Sequence, residues 1–437
     1  MKLPPEFECW SKGQIIRFLF EERVFFKSKI EELEQRLLAY ENAHTPPSKS
    51  NERRYPKREK GGRVGAPLGH KGVTRKTPEP TETKTLTLTN CPDCQHVLGK
   101  HKRVERRVIE EIPDPQPLRV IEFLRYYYVC GHCKKEVAGN DKELPADGNL
   151  GINLRAQIAV RKFEDRLPIR KVAQSIKRDF NIEVTSGTAQ EVTKRVSDKL
   201  TPQYEQMKKD IVNSSAINAD ETGAKLNGKK HWLWLFMSQN IVLFLLRPRR
   251  EQKVIEEILG KAYAGMLTCD GYKGYANLVK TIQRCWAHLL REAKFLAQKH
   301  EGQARVLYSS LCELFNKTKQ VTTDVVMEKR EEIFEDCAKK TQLFIKIAKQ
   351  YKELRKFAIK MENGMKHWFT CVLNPEIEPT NNVAERELRE FVVQRKIFGS
   401  FRSEGGLRIA ETILSILATW RIRGLNTYEQ LRLSLSS

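Results

Sequence analysis

From about residue 213 the hydrophobic pattern breaks into short apolar runs, and two of these runs end in aspartate. Ser215-Ala-Ile-Asn-Ala219 reads as a short buried strand ending at Asp220. Residues 230–237 and 241–246 read as a hairpin joined through Ser238-Gln-Asn240. Residues 251–259 have the spacing of an amphipathic helix. Gly265-Met-Leu-Thr-Cys269 is a second short buried strand, ending at Asp270-Gly271. A short helix at about 272–279 and a strand at 282–286 come next, and helix-forming sequence then runs to about residue 370.

Three meander strands, helix, strand, helix, strand and then helices fit an α/β, RNase H-like fold, a mixed sheet flanked by helices. In that topology the strands ending at Asp220 and Asp270 are central neighbours, so their carboxylates converge. A third acid is expected from a later helix. In Asn381-Asn-Val-Ala-Glu-Arg-Glu-Leu-Arg389, Pro379 and Thr380 lead in, Asn381 or Asn382 can cap, and Glu385 lies one turn inside. Hard oxygen ligands of this kind suit Mg²⁺ or Mn²⁺. Two such ions, roughly 3.5–4 Å apart, activate an attacking oxygen and steady a leaving oxygen at a phosphodiester. Glu221 is expected on the opposite face from Asp220, by strand alternation.

Charge points to the same class of substrate. The 437 residues hold 78 Lys and Arg against 55 Asp and Glu, a formal net charge of +23. Such an excess favours a polyanionic partner, because each neutralised phosphate releases a counterion; the alternative is a lysine-rich soluble surface. Residues 46–76 hold ten Lys or Arg and two acids among many Gly and Pro, the composition of a flexible basic arm (residues 46–84) able to lie along DNA phosphates. No apolar leader and no membrane-length apolar run is visible, so a cytoplasmic, nucleoid-associated protein with no membrane partner is expected.

Ahead of the arm, residues 1–45 carry a helix at about 12–42. Its Ile16, Leu19, Phe26, Ile30, Leu33, Leu37 and Tyr40 alternate by three and four, broken only at Arg23. That suits a short coiled coil, hence a homo-oligomer, or a helix docked on its own protein. After the arm, Cys91-Pro-Asp-Cys94 and Cys130-Gly-His-Cys133 are two CxxC knuckles in a β-rich module at residues 85–148. Together they make a closed, zinc-ribbon-like four-cysteine site for one structural Zn²⁺; redox pairs or unligated thiols are the alternatives. Residues 149–212 are helical. Pro168–Phe180, a short turn and a helix capped by Thr185 or Ser186 match a DNA-reading helix-turn-helix or a plain helical hairpin.

The chain resembles the DDE transposases of the insertion-sequence-66 family, proteins of bacterial and archaeal mobile elements. The matching stretches are Ala219-Asp-Glu-Thr222, Cys269-Asp-Gly-Tyr-Lys-Gly-Tyr275, Cys285-Trp-Ala-His288 with Arg291 and Phe295, and Pro379-Thr-Asn-Asn-Val-Ala-Glu-Arg386. Upstream, the Pro-Pro-Ser-Lys and Gly-His-Lys-Gly of the arm, both knuckles and Leu167-Pro-Ile-Arg170 match as well. The resemblance implies that Asp220, Asp270 and Glu385 are the catalytic acids. It also implies an N-terminal zinc module for DNA and an all-helical insertion before the glutamate. The expected layout is therefore a first core part at 213–290, the insertion at 291–375 and C-terminal core helices at 376–437.

The expected activity is metal-dependent cleavage and strand transfer at the double-stranded ends of a mobile element, with target DNA and accessory proteins of the same element as further partners. A transposase-derived zinc protein that only binds DNA, and a nuclease that cuts without joining, are the alternative readings. Arg386, Arg389, Arg395 and Lys396 follow Glu385; if the helix continues, Arg386, Arg389 and Lys396 share a face suited to phosphates or to solvent. His288 is a candidate contact to the scissile phosphate or a structural hydrogen-bonding group. Zinc at Cys285 and His288 needs two further ligands, so no metal role is expected for that pair.

Overall fold

The computed structural model describes residues 11–38, 147–261 and 263–436, with short stretches between 79 and 145. Most of the expected basic arm, and Cys91, lie outside the described residues. The chain divides into two units, one of Arg53–Val120 and one of Met1–Glu52 with Ile121–Ser437. In the smaller unit Asn90 and Val97 form an isolated antiparallel bridge, and the Asn90 amide donates to the Gln95 carbonyl at 3.1 Å, closing the turn that carries Cys94.

The larger unit begins with helix α1 (Lys12–Leu38), on which Phe20, Val24, Phe25, Phe26, Ile30 and Leu33 are exposed. A two-stranded ribbon follows, β1 (Tyr127–Val129) antiparallel to β2 (Glu136–Ala138). Three helices come next: α2 (Ile152–Phe163), α3 (Ile169–Phe180) and α4 (Ser186–Ile211). As expected, Thr185 caps α4, its hydroxyl accepting from the Thr188 amide at 3.0 Å. Asn181, in left-handed conformation at φ 54°, ends α3.

The sheet is built from β3 (Ala216–Leu226), β4 (Lys229–Met237), β5 (Val242–Arg247), β6 (Met266–Cys269) and β7 (Thr281–Arg284), in the order β5-β4-β3-β6-β7. The first three are antiparallel, and β3, β6 and β7 are parallel, so the sheet is mixed. Helix α5 (Gln252–Leu259) crosses between β5 and β6, and α6 (Lys273–Ala276) between β6 and β7. Strand β3 runs well beyond Asp220, because its pairing with β4 continues to Leu226 opposite Lys229. The turn is Asn227-Gly228, both at positive φ (49° and 76°), as a two-residue hairpin of this hand requires. The polar run Asp220–Leu226 hid this extension from the apolar pattern.

After β7 come α7 (Trp286–Lys299), α8 (Gln303–Lys319), α9 (Met327–Ala348), α10 (Arg355–Asn363) and α11 (Thr370–Leu373). They enclose a hydrophobic cluster of their own around Trp286, Phe357, Trp368 and Phe369. The Trp286 indole donates to the Trp368 carbonyl at 2.6 Å, which satisfies the one polar atom of that buried ring. Finally α12 (Asn382–Phe398), α13 (Glu404–Ile422) and α14 (Thr427–Ser436) return to the sheet, whose cluster includes Trp234, Phe236, Phe391 and Ile413.

Helices cover both outer strands. On α13, Glu411, Ser415 and Thr419 recur every four residues, so they share a face. Ser415 and Thr419 accept the Phe244 and Val242 amides at 2.9 Å each, and Glu411 accepts the Leu246 amide. On the far side Thr370 donates to the Ile282 carbonyl at 2.6 Å, and the Cys371 amide donates to the Gln283 side chain at 2.8 Å. No helix among the described residues is long and apolar enough to cross a membrane.

Candidate active site

The parallel pairing of β3 with β6 carries the sheet's acids to one end. Asn218 lies opposite Thr268, so two residues further along the strands Asp220 and Asp270 come level. Helix α12 runs over the same end, and Glu385 lies in its first turn. All three carboxylates line a single cleft of about 910 Å³. Glu221, His288, Cys285 and Trp368 line it too, and Arg250, Lys273, Arg284, Arg291, Lys360 and Arg389 ring it with positive charge.

The carboxylates act on one another. Burial pushes the Asp220 carboxyl well above its ordinary value, and the charges of Glu221, Asp270 and Glu385 add to the push. Its Oδ1 accepts the Glu221 amide at 2.9 Å, which opposes the shift. Asp270 Oδ1 accepts the Tyr272 amide at 2.8 Å, fixing the rotamer of that side chain. Glu385 lies 3.4 Å from His288 Nδ1 and 3.5 Å from an Arg291 nitrogen. Its Oε1 is nevertheless buried with no hydrogen bond accepted among the described residues. A buried carboxylate oxygen of this kind, in a cleft that Asp220 and Asp270 also line, suits a divalent cation.

His288 sits at the start of α7. Burial pushes its imidazole down to about 4, and the neighbouring Arg291 pushes in the same direction, so the ring is neutral near pH 7. Cys285, His288 and Glu385 hold donor atoms within 4.8 Å of one another. The Cys285 sulfur also accepts the Asn381 amide at 3.2 Å, and Glu385 is a third donor that the sequence did not supply for the Cys285–His288 pair.

Glu221 departs from the expectation of a bystander. Its side chain is 1% exposed, is paired with Arg250, and accepts from the Tyr275 hydroxyl at 2.6 Å. Arg250 also lies 3.4 Å from Asp270 and stacks over Tyr272 at 4.2 Å. Burial and Asp270 raise the Glu221 carboxyl, while Tyr275 and Arg250 lower it. The expected turn away from Asp220 does not take Glu221 out of the cleft: it lines the same cleft as Asp220 and shares Arg250 with Asp270.

The basic residues after Glu385 divide. Helix α12 continues to Phe398, so the expected shared face exists. Arg389 lines the cleft, while Arg386 and Lys396 are exposed on the helix outside it. Arg395 differs from the phosphate-facing expectation: its guanidinium is turned inward, bonded to the Gly223 carbonyl and 3.3 Å from the Thr222 hydroxyl. It ties α12 to β3. Sequence reading overlooked Arg250, Arg284 and Lys360 as cleft residues, since none lies in a recognisable pattern. The only available signal was their position just past a strand or deep in the helical stretch.

At the ribbon, Cys130 and Cys133 occupy the turn between β1 and β2, where the Cys130 amide donates to the Lys135 carbonyl at 2.9 Å. The amides of Cys133 and His132 point at the Cys130 sulfur and hold its thiol below the ordinary value. Cys94 lies in the other unit's turn and is exposed.

A mixed sheet whose central parallel pair and covering helix bring four carboxylates into one cation-rimmed cleft defines the chain as an α/β protein with an acidic cleft at one end of its sheet. The sequence profile of the transposase IS66 family matches residues 147–409, more than half of the chain and all of this cleft, and the chain belongs to that family. It is also similar to an uncharacterized protein of Sinorhizobium fredii (strain NBRC 101917 / NGR234), y4qI, with 25% identity over 321 residues. That alignment takes in 65% of this chain and 58% of the relative, so the chain spans little more than half of that protein's length.

Proposed function

We propose that this chain is a DNA transposase with an RNase H-like core, cutting and joining the ends of a mobile element with Asp220, Asp270 and Glu385. The observation that carries the reading is the convergence of these three carboxylates, from two neighbouring strands and a covering helix, in one cleft. Asp220, Asp270 and Glu385 would hold Mg²⁺ or Mn²⁺, which would supply activation of the attacking oxygen and stabilisation of the leaving oxygen. Arg250, Lys273, Arg284, Arg291, Lys360 and Arg389 receive the phosphates on either side of the scissile bond. Neutral His288, beside Glu385, donates a hydrogen bond to the scissile phosphate without adding charge. Arg386 and Lys396 hold DNA outside the cleft, on the exposed face of α12.

Binding to element ends is proposed for the arm (46–84), the zinc module (85–148) and the helices at 149–212. The paired knuckle spacing supports one structural zinc on Cys91, Cys94, Cys130 and Cys133. The exposed apolar residues of α1 support self-association. The helical cluster of α7–α11 is proposed to be the insertion before Glu385, expected at 291–375.

Alanine replacement of each acid tests the reading. Asp220→Ala, Asp270→Ala and Glu385→Ala should each lose at least ~10² in the rate of nicking element-end DNA with Mg²⁺, while binding to those ends persists. Near-normal nicking by all three variants would refute the mechanism. Cutting without joining by the native chain would instead support a nuclease, and binding without chemistry a transposase-derived DNA-binding protein.

A further inference from the structure

Asn381 precedes the helix that carries Glu385 and is completely buried. A buried primary amide is costly unless its donors and acceptor are bonded. The expected role, a cap on α12, is not the one it plays: its side chain makes no capping bond. Its bonds go to the sheet instead. The side-chain amide donates to the Ala219 carbonyl at 2.8 Å and accepts from the Asn218 amide at 2.9 Å. Ala219 immediately precedes Asp220. The backbone of Asn381 makes two further bonds. Its carbonyl accepts the Glu385 amide at 3.0 Å, and its N–H donates to the Cys285 sulfur at 3.2 Å. Cys285 in turn donates its own N–H to the Cys269 carbonyl at 2.9 Å, and Cys269 immediately precedes Asp270.

One residue thus reaches the backbone beside each of the three acids. To Asp220 the path is a single side-chain bond, to Asp270 it runs through Cys285, and to Glu385 it is the first helical hydrogen bond of α12. We propose that Asn381 is a positioning residue that sets the mutual placement of Asp220, Asp270 and Glu385, and so the geometry in which divalent metal is held. The assignment rests on the reading of those three acids as the reactive set. Asn381 touches no substrate itself. Without its side chain, the start of α12 has only the Cys285 contact among these bonds to hold it to the sheet, and Glu385 slides relative to Asp220. Misplacement of reacting groups by ~1 Å costs about 10²-fold in rate, and loss of a residue that orients metal ligands costs about 10- to 100-fold in metal affinity.

The test uses the full chain and two variants, Asn381→Ala and Asn218→Ala. The second removes one of the two side-chain bonds and leaves the donation to Ala219. Thermal unfolding reports folding, and metal-free gel shift reports binding to element-end DNA. Two further readouts a merely structural role would not move are single-turnover nicking across a Mg²⁺ titration and Mn²⁺ binding by electron paramagnetic resonance, with Asp270→Ala as the blank. Asn381→Ala should bind DNA within about 2-fold of the native chain, nick about 10²-fold more slowly at saturating Mg²⁺, and need about 10-fold more metal. Asn218→Ala should move every metal-linked readout in the same direction by less. Reduced stability with native nicking and native metal titration would overturn the proposal, as would a larger effect from Asn218→Ala. If Asn381→Ala does not fold, native metal affinity in Asn218→Ala overturns it. If the native chain does not nick, the reading of the acids fails, and unchanged Mn²⁺ affinity in both variants still overturns the role of Asn381.

Discussion

Glu221 carries a charge that its surroundings do not favour, and two substitutions separate the charge from the shape. Burial and the nearby Asp270 raise its carboxyl, although Arg250 and Tyr275 pull the other way. Glu221→Gln keeps the volume and an acceptor for the Tyr275 hydroxyl and removes only the charge. Its cost near pH 7 should therefore stay below about 1 kcal/mol, since the lost pairing to a one-third-exposed Arg250 is offset by the relieved burial of an ion. Glu221→Ala leaves the completely buried Tyr275 without its acceptor. An unsatisfied buried hydroxyl costs ~1–3 kcal/mol, and the one lost methylene adds ~0.8 kcal/mol. The total is roughly 3 kcal/mol, or about 6–12 °C at the ~2–4 °C per kcal/mol of a domain this size. Scanning fluorimetry in metal-free buffer at pH 7 measures both. The pH dependence has a definite sign. A carboxyl raised in the folded state contributes stability that is present below its unfolded value and lost as pH rises through the folded one. The native chain should therefore gain on Glu221→Gln as pH falls toward the ordinary glutamate range. Equal losses in the two variants, or a Glu221→Ala loss under about 2 °C, would refute the reasoning.

Arg389→Ala should weaken end-DNA binding and flatten its salt dependence, whereas Arg395→Ala should chiefly lower the melting temperature, because one guanidinium lines the cleft and the other is bonded to β3. Salt titrations that move equally for both would contradict that division. Cys94→Ser should bring the zinc content of reduced protein from one ion to none and weaken DNA binding while the sheet unit melts at its native temperature; native protein free of zinc would overturn the four-cysteine site.

The sheet was readable because its strands are short apolar runs with turn residues between them, and the two aspartates announce themselves by following such runs directly. The continuation of β3 was not read, although Asn227-Gly228 is a strong hairpin signal: the residues leading into it are polar, and their burial comes from β4 and α12 rather than from their own hydrophobicity. Glu385 could be placed on a helix, but its distance from Asp220 depends on Asn381, which sequence spacing presents as an ordinary cap. Arg250 and Lys360 reach the cleft through tertiary packing alone, and nothing in their local sequence separates them from the many other cations of a strongly basic chain. Arg395 was misjudged for the converse reason. Helical spacing fixes which face a residue occupies, but not whether a strand already lies across that face.

The polar row on α13 takes the amides of Val242, Phe244 and Leu246 on β5, and Thr370 takes the Ile282 carbonyl of β7. An outer strand whose amides are taken as those of β5 are offers no template for an incoming strand. Whatever meets the β5 side of the sheet, another copy of the chain or nucleic acid, therefore meets helix α13 rather than a free strand edge. The five strands can then stay rigid through an encounter, and the acids keep their spacing whatever is gripped outside.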